Sequence, residues 1–151
     1  MTHLIRRFFG YLQAEPLTPS EQARVHDVLS PDLRLLFFAQ SVPDQRHALQ
    51  VADRAKGGTD RIEAALLHDV GKTVSDLGAG QRSLATMWVA TGLPVSGSWL
   101  TYLHHGEIGA AMLEATGASQ LSVTFARSHP GPVPSGIDTE DWQAIAVADD
   151  A

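Results

Sequence analysis

Cysteine is absent from the 151 residues. Disulfide staples and thiolate chemistry are thereby excluded, and any metal must be held by histidine, aspartate or glutamate. That donor set suits iron, manganese, magnesium or nickel and permits zinc. Long apolar runs are missing too. No segment reaches the roughly 18 apolar residues that a membrane helix needs, so no membrane partner is expected. Basic clusters do not extend beyond the Arg6-Arg7 pair and the net charge is −6, which disfavours binding to a nucleic-acid polymer. Residues 1–9 carry those two arginines inside an apolar stretch with no small-residue cleavage site. A signal peptide is therefore not expected, and the cytoplasm is the default compartment. Internal repeats, low-complexity tracts and β-hairpin signals are also lacking.

What is present is helical. Apolar residues make up 44% of the chain, in amphipathic patches, and the length fits one domain with a substantial core. Leu4, Ile5, Phe8, Phe9 and Leu12 mark an amphipathic helix over about residues 2–13. Thr18-Pro19-Ser20-Glu21 reads as a capping box with proline at the first helical position, opening a helix to about residue 29. Ser30-Pro31 and Ser41-Val42-Pro43 repeat that start signal. The first opens 33–39; the second opens the helix carrying His47, closed by Gly57-Gly58. Asp60, with Glu63 three residues on, is expected to cap the run to His68. Residues 71–80 read as a loop, 81–90 as a helix ending at Gly92-Leu93-Pro94, and 99–104 and 105–115 as helical. Residues 121–127 fit a helix or a strand, 130–136 a loop, and 139–150 the last helix. The expectation is an all-α, single-domain helical bundle.

One segment carries the chemistry: Ala64-Ala65-Leu66-Leu67-His68-Asp69-Val70-Gly71-Lys72. An imidazole and a carboxylate at the end of a buried helix are costly to hide unless something satisfies them. A metal ion does so, since both are ligands and the cation offsets the carboxylate charge. Neighbouring helical residues project about 100° apart, so the two converge on one point only where the helix is ending, as Gly71 suggests. His47 lies on the preceding helix. His105 sits on or beside an inward stripe with Ile108, Met112 and Ala115. His129 precedes a proline, where helices stop, and Asp149 follows Trp142, Ile145 and Ala146 along a face expected to be buried. Seven histidines are about twice the usual number for this length; His3 and His26 read as surface residues. A lone core histidine is more often structural than a ligand, and a His-Asp dipeptide arises by chance in about a third of such chains. The weight comes from four histidines and two aspartates in one order.

That order, His47…His68-Asp69…His105…His129…Asp149, resembles the HD-domain superfamily of metal-dependent phosphohydrolases. The segment from Ala64 to Lys72 is similar to its central motif almost letter for letter. His105-Gly106-Glu107-Ile108-Gly109-Ala110 resembles the next motif, and Val147-Ala148-Asp149 the terminal Ala-Asp. The likeness spans about residues 41–151, leaving 1–40 as an N-terminal helical extension packed on the core. It implies one ion on His47, His68, Asp69 and Asp149. The additional histidines imply a second, with Asp69 bridging and His105 and His129 as ligands. Superfamily members with those histidines include dinucleoside-polyphosphate hydrolases, HD-GYP cyclic-di-nucleotide phosphodiesterases and mixed-valent diiron oxygenases. The Gly-Tyr-Pro signature is missing here, so a cyclic-di-nucleotide role has little support. His104 competes with His105 as ligand, and Asp150 with Asp149; the motif spacing favours His105 and Asp149.

The expected activity is hydrolysis of a phosphoester or phosphoanhydride in a small, nucleotide-like substrate by metal-activated water, with Asp69 at the catalytic centre. Lys72 would bind an anionic group or serve as an ordinary helix-end lysine. His104, Arg82 and Arg127 are weaker candidates for substrate contact. Asp76 could assist proton transfer but reads more readily as an ordinary loop aspartate; Asp44-Gln45-Arg46 could line the pocket, which solvent exposure explains equally well. Two alternatives stand beside this reading. One is a diiron oxygenase acting on a small polyol or phosphonate, with Lys72 on a substrate oxygen. The other is an inactive binding module, motivated by the few residues after Asp149. Phe8, Phe9, Phe37 and Phe38 serve a homodimer interface as readily as a core.

Overall fold

The computed structural model describes residues 14–74 and 104–151. Among these the chain forms seven α-helices and one 3-10 turn, with no strand. They are α1 (Pro19–Val28), α2 (Pro31–Ala39), α3 (Val42–Ala55), α4 (Thr59–Leu67), α5 (His105–Ala115), α6 (Gln120–Ser128) and α7 (Thr139–Asp150). The 3-10 turn, Val70–Val74, follows α4. The expected helices over 2–13, 81–90 and 99–103, with His3, Phe8, Phe9, Asp76 and Arg82, lie outside the described residues.

The start signals work as local chemistry requires. The Thr18 hydroxyl accepts from Glu21 N, and Glu21 returns a carboxylate to Thr18 N at 2.7 Å, closing the capping box. Ser41 caps α3 by accepting from Asp44 N. Ser30 sits at the N-cap of α2 without a side-chain cap bond, Pro31 alone setting the entry. The expected Asp60 cap is not formed: Gly58 is the N-cap, and Asp60 falls in the first turn of α4. Glu63 is also not part of a box. It is buried and reaches α6, where Oε1 accepts from Ser119 N at 2.7 Å and Ser122 Oγ at 2.8 Å. A carboxylate from α4 thus satisfies donors at the positive end of α6. The 121–127 ambiguity resolves as helix, because Ser119 caps it and Leu121, Val123, Phe125 and Ala126 bury against the bundle.

α4 is the central element. Ala64, Ala65, Leu66 and Leu67 are all buried, and the helix packs on α3, α6 and α7 as well as on α1 and α2. Phe37 is fully buried in the core, and Phe38 packs against it partly buried. Asp44, Gln45 and Arg46 also serve structure. Arg46 binds the Glu21 carboxylate and the carbonyls of Glu15 and Pro16, while Gln45 bonds to Phe38 O and Gln40 O. No helix among the described residues is long and apolar enough to cross a membrane.

Candidate metal centre

The helix does end at the motif. α4 stops at Leu67, His68 still has helical torsions, and the chain tightens into the 3-10 turn from Val70. His68 and Asp69 occupy the turn between α4 and the 3-10 turn, where the regular helical spacing that would separate neighbouring side chains no longer holds. Lys72 N donates to Asp69 O at 2.9 Å and holds that turn.

Glycine makes the next contact. A Cβ on Gly71 would lie 1.8 Å from His105 O and 2.7 Å from Gly109 N. The turn therefore presses directly on the first turn of α5, which carries His105 to the centre. Gly106 also approaches α6 closely, 2.7 Å from Ala126 O for a built Cβ. The buried stripe of α5 runs through Gly109, Ala110 and Leu113, whereas Ile108 and Met112 are half-buried and Ala115 is exposed. The stripe expected through Ile108, Met112 and Ala115 is corrected accordingly. His105 lies four residues before Gly109, at the edge of the observed stripe.

Around this point the distances are short. One ligand atom from each of His47, His68 and Asp69 falls within 4.8 Å of the others, a group that could hold a metal ion. Asp149, from the last turn of α7, joins them: Oδ1 is 2.8 Å from His47 Nε2 and 3.6 Å from His68 Nε2. Its other oxygen, Oδ2, is 3.2 Å from His129 Nε2. Asp69 is contacted by the Lys72 ammonium at Oδ2, by His68 Nε2 at 3.3 Å and, through Oδ1, by His105 Nε2 at 3.8 Å. His129 therefore faces Asp149 and His105 faces Asp69.

His68 tests whether an ion fits. Its Nδ1 lies 2.8 Å from Ala65 O, a contact that requires an Nδ1–H donor. Nε2 is then left buried without a hydrogen-bond partner, between two carboxylates. An imidazole lone pair there is repelled by both acids unless a cation joins them. In the metal-free chain a proton fills that role. Burial opposes charge on His68, yet Asp69 and Asp149 outweigh it and raise its pKa to about 10. Burial likewise opposes ionisation of Asp69 and Asp149. Lys72 and His68 keep Asp69 well below the ordinary carboxylate range, and hydrogen bonds from His129 and His47, with the nearby charge of His68, do the same for Asp149. Two ionised carboxylates and imidazole nitrogens around one buried point are the donor chemistry of a divalent ion.

A cavity of about 400 Å³ opens on this centre, lined by His68, Asp69, Lys72, His105, His129 and Asp149 among others. His104 is exposed at the N-cap of α5 and does not line it. Asp150 lines the cavity but is exposed, while Asp149 holds the histidines. Arg127 is turned to Glu107 and Glu114, outside the lining. The lining also includes Phe125, which sequence reasoning missed. Its apolar type and place in a helix signal core, and nothing in the sequence reports that its ring meets His129. Comparison with protein-family models, with curated proteins and with solved structures gives no match.

Proposed function

We propose that the chain is a metal-dependent phosphohydrolase of the HD-domain type, acting on a phosphoester or phosphoanhydride of a small anionic substrate. The observation that carries this reading is His68 Nε2, buried with no hydrogen-bond partner and flanked by the carboxylates of Asp69 and Asp149 at 3.3 and 3.6 Å, with an ammonium, Lys72, on the wall of the adjoining cavity. His47, His68, Asp69 and Asp149 would hold a principal ion. A second would draw on Asp69, His105 and His129, which now face different carboxylates, so it is expected to bind more weakly. A bound divalent ion supplies charge neutralisation at phosphorus and acidifies water in its field.

The chain's own residues do the rest. Ala65 O fixes the tautomer of His68, so Nε2 always faces the centre. Lys72 is three residues from Asp69 and borders the cavity, so its ammonium can leave one Asp69 oxygen for an arriving phosphate. His129 and His47 hold Asp149 ionised and oriented. Phe125 and Pro130 form an apolar wall beside these groups, which strengthens their electrostatics by limiting water.

The deciding assay presents a panel of nucleotides, dinucleoside polyphosphates and sugar phosphates to chain reconstituted with iron, manganese, nickel, magnesium or zinc, with and without dioxygen. Hydrolysis independent of dioxygen is expected, read as phosphate from monoesters or as nucleotides from dinucleoside polyphosphates. Turnover that requires dioxygen would replace this reading with that of an oxygenase, and a loaded chain inert on every substrate would favour a binding module.

A further inference from the structure

His68 and His129 enter the centre with unequal support. The tautomer and tilt of His68 are fixed from behind by Ala65 O at 2.8 Å. His129 has no such anchor: its Nδ1 is buried without a hydrogen-bond partner, and only Nε2 has one, Asp149 Oδ2 at 3.2 Å. A ring held by one hydrogen bond is free to rotate about that contact, so its plane must be set by packing. The packing partner is Phe125, one turn earlier in α6. The two rings stack with centroids 4.5 Å apart and planes 13° apart. Phe125 is fully buried, meets the edge of His68 at 6.4 Å and 83°, and packs at 4.8 Å against Trp142, itself 6.5 Å from His129.

We infer that Phe125 is the positioning residue for His129, its ring fixing the plane in which His129 Nε2 is presented to the centre beside Asp149. A leucine would fill much of the same apolar space, so core filling alone does not need an aromatic ring here. Stacking does, because only a flat partner restricts the imidazole to one plane. The inference rests on the proposed metal centre and not on the identity of its substrate.

Cobalt(II) titration of the full chain, followed by visible absorption, tests it on wild type, Phe125→Leu, His129→Ala and the double variant. Phe125→Leu should weaken Co2+ binding about three- to tenfold, the worth of one aromatic stack, and alter the absorption bands. In the His129→Ala background the same substitution should change affinity by less than about twofold, since its route of action is gone. Equal affinity and spectrum in wild type and Phe125→Leu would overturn the inference. An equal loss in both backgrounds would do so too, by showing a general effect of the core. Phe125→Met, a flexible filler of similar bulk, carries the same expectations if the leucine variant does not fold. A wild type that binds no Co2+ overturns the metal-centre reading and this inference together, which separates that failure from the other two.

Discussion

His47 Nε2 lies 2.8 Å from Asp149 Oδ1 across 102 residues of sequence. The contact joins α3 to α7 at the point where α4 delivers His68 and Asp69, so three separate helices meet on one pair of carboxylates. Asp149 is the hinge of that arrangement, bonded by His47 on one oxygen and His129 on the other. Asp149→Asn keeps the shape and removes the charge. Its expected outcome is loss of the metal-induced rise in melting temperature that the wild type shows, with helical circular dichroism preserved. A variant still stabilised by metal as strongly as wild type would contradict the role.

Gly71→Ala should be costly beyond its one added carbon. The new Cβ would meet His105 O and Gly109 N well inside contact distance, and backbone cannot yield as a side-chain tip can. Overpacking of this kind costs about 1–3 kcal/mol. Because α5 must shift, metal affinity should fall alongside stability. Urea unfolding and a metal titration measured together check both effects.

Glu63→Ala separates fold from centre. It leaves Ser119 N and Ser122 Oγ without their acceptor at the start of α6. About 1–3 kcal/mol of stability should be lost, the usual penalty for abandoned buried donors, and metal content should not change. Chemical denaturation and elemental analysis report the two quantities independently.

Lys72→Met removes the ammonium beside Asp69. Metal retention should hold or improve, because one rival for an Asp69 oxygen is gone. KM for an anionic substrate should rise about tenfold or more, in line with one charge-assisted hydrogen bond. An unchanged KM would remove Lys72 from substrate binding.

Acid stability has a defined window at Glu21. Its pKa is lowered from 4.5 to about 2 by the Arg46 hydrogen bond, and then by bonds from Thr18. A folded pKa below the unfolded one stabilises above the ordinary value, and that contribution disappears as pH falls from 4.5 toward 2. The melting-temperature gap between wild type and Glu21→Gln should be widest above about pH 5 and close near pH 2. A gap that persists through that range would contradict the assignment.

Much of this was legible in the chain because it is local. Thr18-Pro19 and Ser41 mark helix starts through their own backbone bonds, and the His68-Asp69 pair advertises a helix end through Gly71. The strand alternative for 121–127 rests on Val123, Thr124 and Phe125, whose β propensity yields to burial and the Ser119 cap. Long-range relations were not legible. Glu63 looks like a capping-box member until α6 presents Ser119 and Ser122 to it. Nothing in the sequence reports that His129 Nε2 reaches Asp149 Oδ2. Phe125 is indistinguishable from any core aromatic until its ring is found on His129.

The most direct test of the central claim is elemental analysis of metal per chain, on protein purified without chelator, for wild type and Asp69→Ala. At least one ion per wild-type chain is expected, bound as isolated or regained on adding iron, manganese, zinc or nickel. None above background is expected in Asp69→Ala, whose helical signal should remain. A wild type that holds and regains no metal, or an Asp69→Ala chain with full metal content, would contradict it.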